Sequence, residues 1–253
     1  MGRLDGARVA VTRPRGRSDQ LMVELRREGA AVVEVPLIET VGPSDDGAAL
    51  EAAVSTMVPG TWLVLTAATA VGPVLAAASG HELRGRCKIA ALGPGTAAAL
   101  EQAGVAVDLM GEGGGAMGLV RPLASVLEPG GVVVLAQAEA PAAGLADALR
   151  AEGLTVVEVA AYGTVPRSVS QDERAQLRAA DLVLLASPSA ARSLAEAVGT
   201  ASASSLRIVA FGETTAQGAR DAGFVHVRSA ERPATDSLLQ ALADSWSPRS
   251  GDA

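Results

Sequence analysis

Arg8-Val9-Ala10-Val11 begins a stretch that runs through Leu21, Leu25 and Arg26 to Glu28-Gly29 and then Val33-Glu34-Val35. The same plan returns 124 residues later as Val132-Val133-Val134-Leu135, Leu145, Leu149, Arg150, Glu152-Gly153 and Val157-Glu158-Val159. Two further pairs follow in order. Trp62-Leu63-Val64-Leu65-Thr66-Ala67-Ala68-Thr69-Ala70 is echoed by Leu182-Val183-Leu184-Leu185-Ala186-Ser187-Pro188-Ser189-Ala190, at an offset of 120. Lys88-Ile89-Ala90-Ala91-Leu92-Gly93-Pro94-Gly95-Thr96-Ala97 is echoed by Arg207-Ile208-Val209-Ala210-Phe211-Gly212-Glu213-Thr214-Thr215-Ala216, at an offset of 119. Three ordered anchors at nearly constant spacing identify an internal duplication of a supersecondary unit.

Each anchor reads as strand, turn, helix. Val9–Thr12 is a short, wholly apolar run, as expected of a strand covered on both faces. Ser18 is placed to cap a helix bearing Leu21, Met22 and Leu25 on one stripe, with Arg26 and Arg27 in its last turn and Gly29 as its stop. Thr69 and Ser189 are the corresponding candidate caps, and Pro73 is tolerated in a first turn, whose amides have no helical partner. Val105–Leu109 is a further short strand candidate. Strands alternating with helices predict an α/β chain of two similar domains, each a parallel sheet flanked by helices. Ligands of such sheets gather at the carboxyl ends of the strands.

Composition narrows the chemistry. At 253 residues the chain has room for two domains. With 49% apolar but only 2% aromatic residues, its cores must be filled by Ala, Val and Leu. One cysteine, Cys87, rules out an internal disulfide, and it and two histidines are too few for an ordinary zinc site. The single lysine, Lys88, sits where an apolar strand begins, a poor place for a Schiff base. A net charge of −7 argues against nucleic acid as a partner. The sequence holds neither a membrane-length apolar run nor the apolar middle of a signal peptide, so the expectation is a cytoplasmic, membrane-free protein; a monomer is expected.

The predicted strand-end loops are Thr12-Arg13-Pro14-Arg15, Thr66-Ala67-Ala68-Thr69, Gly93-Pro94-Gly95-Thr96, Ser187-Pro188-Ser189 and Gly212-Glu213-Thr214-Thr215. Small, hydroxyl-bearing loops in front of helix N-termini suit anions, because free N–H groups and the helix dipole both favour negative charge. Two such rims would make a cleft for a polyanion; the same hydroxyls also serve simply as helix caps. Arg13, Arg15 and Arg17 are either a solvated loop or the local positive charge that an acidic protein needs for an acidic ligand. Tyr162, the only tyrosine, lies in Val159-Ala160-Ala161-Tyr162-Gly163-Thr164-Val165-Pro166, an extended stretch matched by Val35-Pro36-Leu37-Ile38-Glu39-Thr40. It either packs or, with an ordinary pKa near 10, donates a hydrogen bond to a leaving hydroxyl. Gly113-Gly114-Gly115-Ala116-Met117-Gly118 satisfies G-x-G-x-x-G with Glu139 downstream, a pattern shared with dinucleotide sites, although it comes late in its repeat.

Taken in order, Val11-Thr12-Arg13-Pro14, Val35-Pro36-Leu37-Ile38, Ala91-Leu92-Gly93-Pro94-Gly95-Thr96-Ala97, Ala161-Tyr162-Gly163-Thr164-Val165-Pro166, Ser187-Pro188-Ser189-Ala190, Gly212-Glu213-Thr214-Thr215-Ala216 and Glu231-Arg232-Pro233-Ala234-Thr235 resemble the uroporphyrinogen-III synthases. The resemblance implies an interleaved chain: 1–35 with 167–253 as one flavodoxin-like domain, 39–160 inserted as the other, and 36–38 with 161–166 as a two-stranded β linker. Residues 244–253 read as a disordered tail. It implies a cofactor-free cyclising lyase that closes hydroxymethylbilane, a linear tetrapyrrole with eight carboxylates, with inversion of its last ring and loss of water. Transient hand-over from the synthase that makes this substrate goes with it.

By the same resemblance Tyr162 assists departure of the hydroxyl. Thr12, Arg13, Thr66, Gly93, Thr96, Gly113, Gly114, Gly115, Ser187, Ser189, Arg207, Gly212, Thr214 and Thr215 hold the substrate. The chain departs from the family pattern at Ala67 and Thr69, at Gln137 where relatives have an arginine after the seventh strand, and at Glu213 where they have proline. Those departures leave room for a weakly active relative serving as a ligand-binding module, and the glycine loop for a nucleotide-binding protein.

Overall fold

The computed structural model describes residues 2–15, 19–78, 83, 85–112, 115–199, 202, 204–232 and 234–246. They fall into two compact units, Met1–Glu39 with Val165–Ala253, and Thr40–Thr164. In chain order the elements are β1 (Arg8–Val11), α1 (Asp19–Arg27), β2 (Ala31–Glu34), β3 (Ile38–Val41), α2 (Ala48–Thr56), β4 (Thr61–Leu65) and α3 (Val71–Ala77). Then come β5 (Cys87–Ala91), α4 (Pro94–Gln102), β6 (Leu109–Met110), α5 (Val120–Val126), β7 (Val132–Ala138), α6 (Leu145–Ala151) and β8 (Thr155–Pro166). The chain continues with α7 (Gln171–Ala179), β9 (Leu182–Leu185), α8 (Pro188–Val198), β10 (Arg207–Ala210), α9 (Glu213–Asp221), β11 (His226–Ser229) and α10 (Thr235–Ser245). The linker stretches 36–38 and 161–166 are the approach to β3 and the second half of β8.

The first unit's sheet has the order β11-β10-β9-β1-β2, every pair parallel. The second has the order β6-β5-β4-β7-β8-β3, parallel from β6 to β8. Strand for strand, β1, β2, β9, β10 and β11 correspond to β7, β8, β4, β5 and β6. The three repeated sequence anchors therefore fall on matching strands of two sheets with the same order, and β3 is the second sheet's addition.

Each sheet is apolar on both faces because helices cover both. In the first unit, Ala10, Val183, Leu185 and Ile208 meet Leu177 and Leu194 on one side, while Val9, Val11, Leu182 and Leu184 meet Leu25 and Leu242 on the other. In the second, Leu63, Leu65, Val134 and Ala136 face Val54, Val74 and Leu100, and Trp62, Val64, Val133 and Leu135 face Leu123 and Leu149.

Several local expectations shift. Ser187, not Ser189, caps α8: its hydroxyl accepts the Ala190 amide at 3.2 Å, and Pro188 takes the first helical position, where no amide is needed. Thr69 lies inside a 3₁₀ turn over Ala68–Ala70 rather than capping it. The strand expected at 105–109 is reduced to Leu109–Met110; just before it the Asp108 carboxylate, rather than a backbone carbonyl, accepts the Ile89 amide at 2.8 Å. Of the expected tail, Asp244 and Ser245 complete α10 and Trp246 packs on the core, because Leu238, Leu239, Ala241 and Leu242 give the helix a continuous apolar stripe. Arg17, Ser18 and residues 247–253 lie outside the described residues.

Gly218 sets how closely α9 approaches α8: a Cβ there would stand 2.6 Å from the Cβ of Pro188. Replacing Gly218 by Ala should lower stability by about 1–3 kcal/mol through overpacking, whereas Gly72→Ala in α3, with open space around it, should raise it by up to ~1 kcal/mol. Parallel chemical denaturation of the two variants measures both signs. At the entry of α7, Ser170 and Glu173 form a reciprocal capping box, and Arg167 links the Glu173 carboxylate to the Pro36 carbonyl. The Ser170 amide and then Arg167 hold the Glu173 carboxyl below its ordinary value. A depressed carboxyl stabilises the fold above its unfolded pKa, near 4.3, and that contribution fades as pH falls. Glu173→Gln should therefore cost about 1 kcal/mol at pH 7, with the deficit closing below about pH 4, as thermal melts across pH would show.

Candidate functional site

Parallel pairing brings the strand ends of each unit to one edge. In the first unit Val11 pairs with Glu34 and Leu184, and Ala210 pairs with Leu185. The loops after β1, β9 and β10 therefore share a rim carrying Thr12, Arg13, Ser187, Ser189, Gly212, Thr214 and Thr215. In the second unit Leu65 pairs with Ala91 and Ala136, which places Thr66, Gly93 and Thr96 on the corresponding rim, with Gly111 and Gly115 beyond β6. Gly113 and Gly114 lie outside the described residues.

Four strand-to-helix turns repeat one backbone shape. Ala67, Gly93, Ser187 and Gly212 are all extended, with φ of −151°, −159°, −155° and −178°, and the next residue starts a helical turn. Only Ser187 caps its helix with a side chain; the other three leave the first amides uncapped by their own side chains. Neither Gly93 nor Gly212 is required by its φ, and a Cβ at either would meet nothing within 4 Å. The space in front of α4 and α9 is therefore open, which suits an anion approaching free N–H groups.

The hydroxyls divide into two kinds. Thr12 is 0% exposed and donates to the Leu184 carbonyl at 2.7 Å. It ties β1 to β9 and is withdrawn from any ligand, a correction forced by burial of its whole side chain. Thr96 and Thr215 each occupy the third position of a helix at 6% exposure, and among the described residues neither hydroxyl forms a hydrogen bond. The Ser187 and Ser189 hydroxyls stand 2.9 Å apart.

Arg13 lies over the Phe211 ring, 5.0 Å from its centroid, so the side chain spans the end of β9. Arg207 is at the far edge: it begins β10 and donates to the Ser245 carbonyl at 3.0 Å. A four-residue strand separates it from the rim by roughly 10 Å, so the structure does not bring it together with the other candidates. A depression of about 300 Å³ around Arg207, His226 and Ser245 lies at that edge, and a second of about 380 Å³ runs along α10 from Asp244 to Asp236 and the loop after β11 at Glu231 and Arg232.

Tyr162 sits in β8, half-buried against the cluster of Leu65 and Ala136. Gln137 lies within β7, not after it; it is 6% exposed and donates to Glu158, which Arg150 also holds. Glu213 is exposed at the first turn of α9 and pairs with Arg220 at 2.6 Å, so its charge is balanced locally. Glu139 is engaged by Ser44, and the glycine segment follows a two-residue strand, an arrangement unlike a dinucleotide fingerprint. Two rim residues fall outside the sequence expectations. Phe211 is one of only two phenylalanines, and its rarity in a strand-end loop was a usable signal. Glu34 ends β2 with Oε1 buried and without a hydrogen-bond partner among the described residues, a state no pattern in the sequence announces.

Among the described residues no helix is long and apolar enough to cross a membrane. Residues 19–240 match the family described as uroporphyrinogen-III synthase HemD. The chain belongs to the uroporphyrinogen-III synthase family. Membership places it among the cyclising lyases of tetrapyrrole synthesis. A uroporphyrinogen-III synthase of Synechococcus elongatus is 32% identical over 196 residues, covering 72% of this chain and 70% of that protein. Among solved structures, a mutant uroporphyrinogen III synthase of Thermus thermophilus shares the fold with a TM-score of 0.58 at 21% identity, over 95% of this chain and 98% of that one. The corresponding Helicobacter pylori enzyme has a TM-score of 0.60 at 14% identity, over 94% and 99%.

Thr12→Val should cost about 1–3 kcal/mol, because the buried Leu184 carbonyl loses its donor. Thr96→Val and Thr215→Val, which remove hydroxyls without a hydrogen-bond partner among the described residues, should stay within about 0.5 kcal/mol of the parent. Denaturation midpoints of the three variants test the division.

Proposed function

We propose that this chain closes hydroxymethylbilane to the type III macrocycle with inversion of the terminal ring. Recurrence of one open, anion-favouring strand end in both units carries the reading, because a substrate with eight carboxylates needs many separate grips. Uncapped amides ahead of α4 and α9 donate to carboxylate oxygens, and Thr66, Thr96, Ser187, Ser189, Thr214, Thr215 and the glycines Gly93, Gly115 and Gly212 add donors or room. Arg13, its guanidinium backed by Phe211, supplies positive charge in a chain of net charge −7.

In the reaction the terminal C–O bond breaks as electrons flow from the pyrrole nitrogen, the hydroxyl takes up a proton and leaves as water, and the α-carbon proton released at ring closure balances the one consumed. Tyr162 donates the hydrogen bond that eases this departure. A spiro intermediate at the last pyrrole then rearranges and closes. No step calls for a metal or an organic cofactor, since the electrons come from the substrate's own pyrroles. The reading includes a monomer in the cytoplasm that receives its unstable substrate directly from the enzyme that makes it.

Hydroxymethylbilane generated in situ, followed by oxidation and chromatographic separation of the uroporphyrin isomers, tests this. Wild type should yield mainly type III, and Tyr162→Phe should be slowed by about 10²-fold, the lower range for loss of acid–base assistance. Product no richer in type III than the enzyme-free blank would leave a ligand-binding family member without synthase activity.

A further inference from the structure

Tyr162 faces the core side it does because β8 contains one extra residue. Pairing between β7 and β8 is regular from Val132 with Thr155 to Gln137 with Ala160, and then resumes at Ala138 with Tyr162. Before that shift, Val159 and Ala161 lie on the side of Leu65 and Ala136, while Glu158 meets Gln137 on the other. Strict alternation would send Tyr162 to the side of Glu158. The bulge instead packs it beside Ala161, the re-aiming that bulges produce.

A bulge interrupts the ladder, so something must fix the strand beyond it. Glu139, the residue after β7, does so from two directions. Its amide donates to the Tyr162 carbonyl at 2.8 Å. Its Oε1 accepts the Ser44 amide at 3.1 Å and also the Ser44 hydroxyl. Ser44 lies just past β3, the other neighbour of β8. Gly163 completes the fit: a Cβ there would meet Val41 Cγ2 at 3.0 Å, the Gly42 carbonyl at 3.1 Å and Glu139 Oε2 at 3.3 Å. Hydrogen bonds to a carboxylate are stronger than neutral ones, and this carboxylate accepts two from Ser44.

We propose that Glu139 is a positioning residue for Tyr162, its carboxylate gripping Ser44 so that the bulge keeps the ring on the side of Leu65 and Ala136. The proposal rests on the role of Tyr162 given above, and its test separates the two. Tyr162 is the only tyrosine, so 3-fluorotyrosine labelling gives one ¹⁹F resonance that reports its environment directly.

Wild type should show a single narrow line. Glu139→Ala should shift or broaden it and lower kcat by about tenfold with KM little changed, since misplacement penalises the chemical step. Ser44→Ala, which removes only the hydroxyl half of the grip, should fall between. Glu139→Gln, which keeps an acceptor for Ser44, should restore most of both signals. Melting curves establish that each variant is folded. A Glu139→Ala protein with the parental resonance and kcat, or with a change in KM alone, would overturn the proposal. Should the wild type form only the type I isomer, the proposed function fails, and the resonance by itself decides whether Glu139 positions Tyr162.

Discussion

Val9, Ala10 and Val11 pair with Val32, Val33 and Glu34 on one side and with Leu182, Val183 and Leu184 on the other. Parallel neighbours cannot be joined by a tight turn, so every step from strand to strand needs a helix that crosses back over the sheet. Those crossings cover both faces, which is why Val, Ala and Leu fill the strands and why so few aromatic residues suffice. They also force every strand of the first unit to point the same way, collecting the loops that follow at one edge. The rim chemistry is a by-product of that parallel pairing.

Much of this was legible in the residues. The duplication placed the strands, and apolar runs such as Leu182–Leu185 announced burial on both faces. The same order of strands in both units follows from three anchors alone. Less legible were the caps: Ser187 and Ser189 are equivalent by composition, and only Pro188 in the first helical position tells which one precedes the helix. The fate of each hydroxyl was unreadable. Thr12 and Thr215 both follow an apolar strand, yet Thr12 is turned onto the Leu184 carbonyl and Thr215 is not. That difference depends on which neighbour lies one strand over. Arg207, a candidate by resemblance, begins a parallel strand and therefore stands at the opposite edge from the loops.

The departures from the family pattern also acquire local explanations. Gln137 and Glu158, held by Arg150, make a polar strip beside an otherwise apolar face. Glu213 stands at a helix N-terminus, where a carboxylate is favoured by the dipole, and Arg220 screens it from the rim. Gly93 and Gly212, whose backbone would admit any residue, are the more telling positions, because nothing within their own unit requires them to be small.

The chain order of the first unit has a consequence for its synthesis. Thr12 and Leu184 are 172 residues apart, and the whole of the second unit lies between them. On a ribosome making about 5–20 residues per second, β1, α1 and β2 wait roughly ten seconds or longer for β9 to be made. Throughout that interval Val9, Val11, Leu21 and Leu25 have no sheet to close against, while Thr40–Thr164 has nearly all of its strands in one piece and can fold as it emerges. The apolar faces of β1 and α1 thus stay without their sheet partner until the second unit has been made.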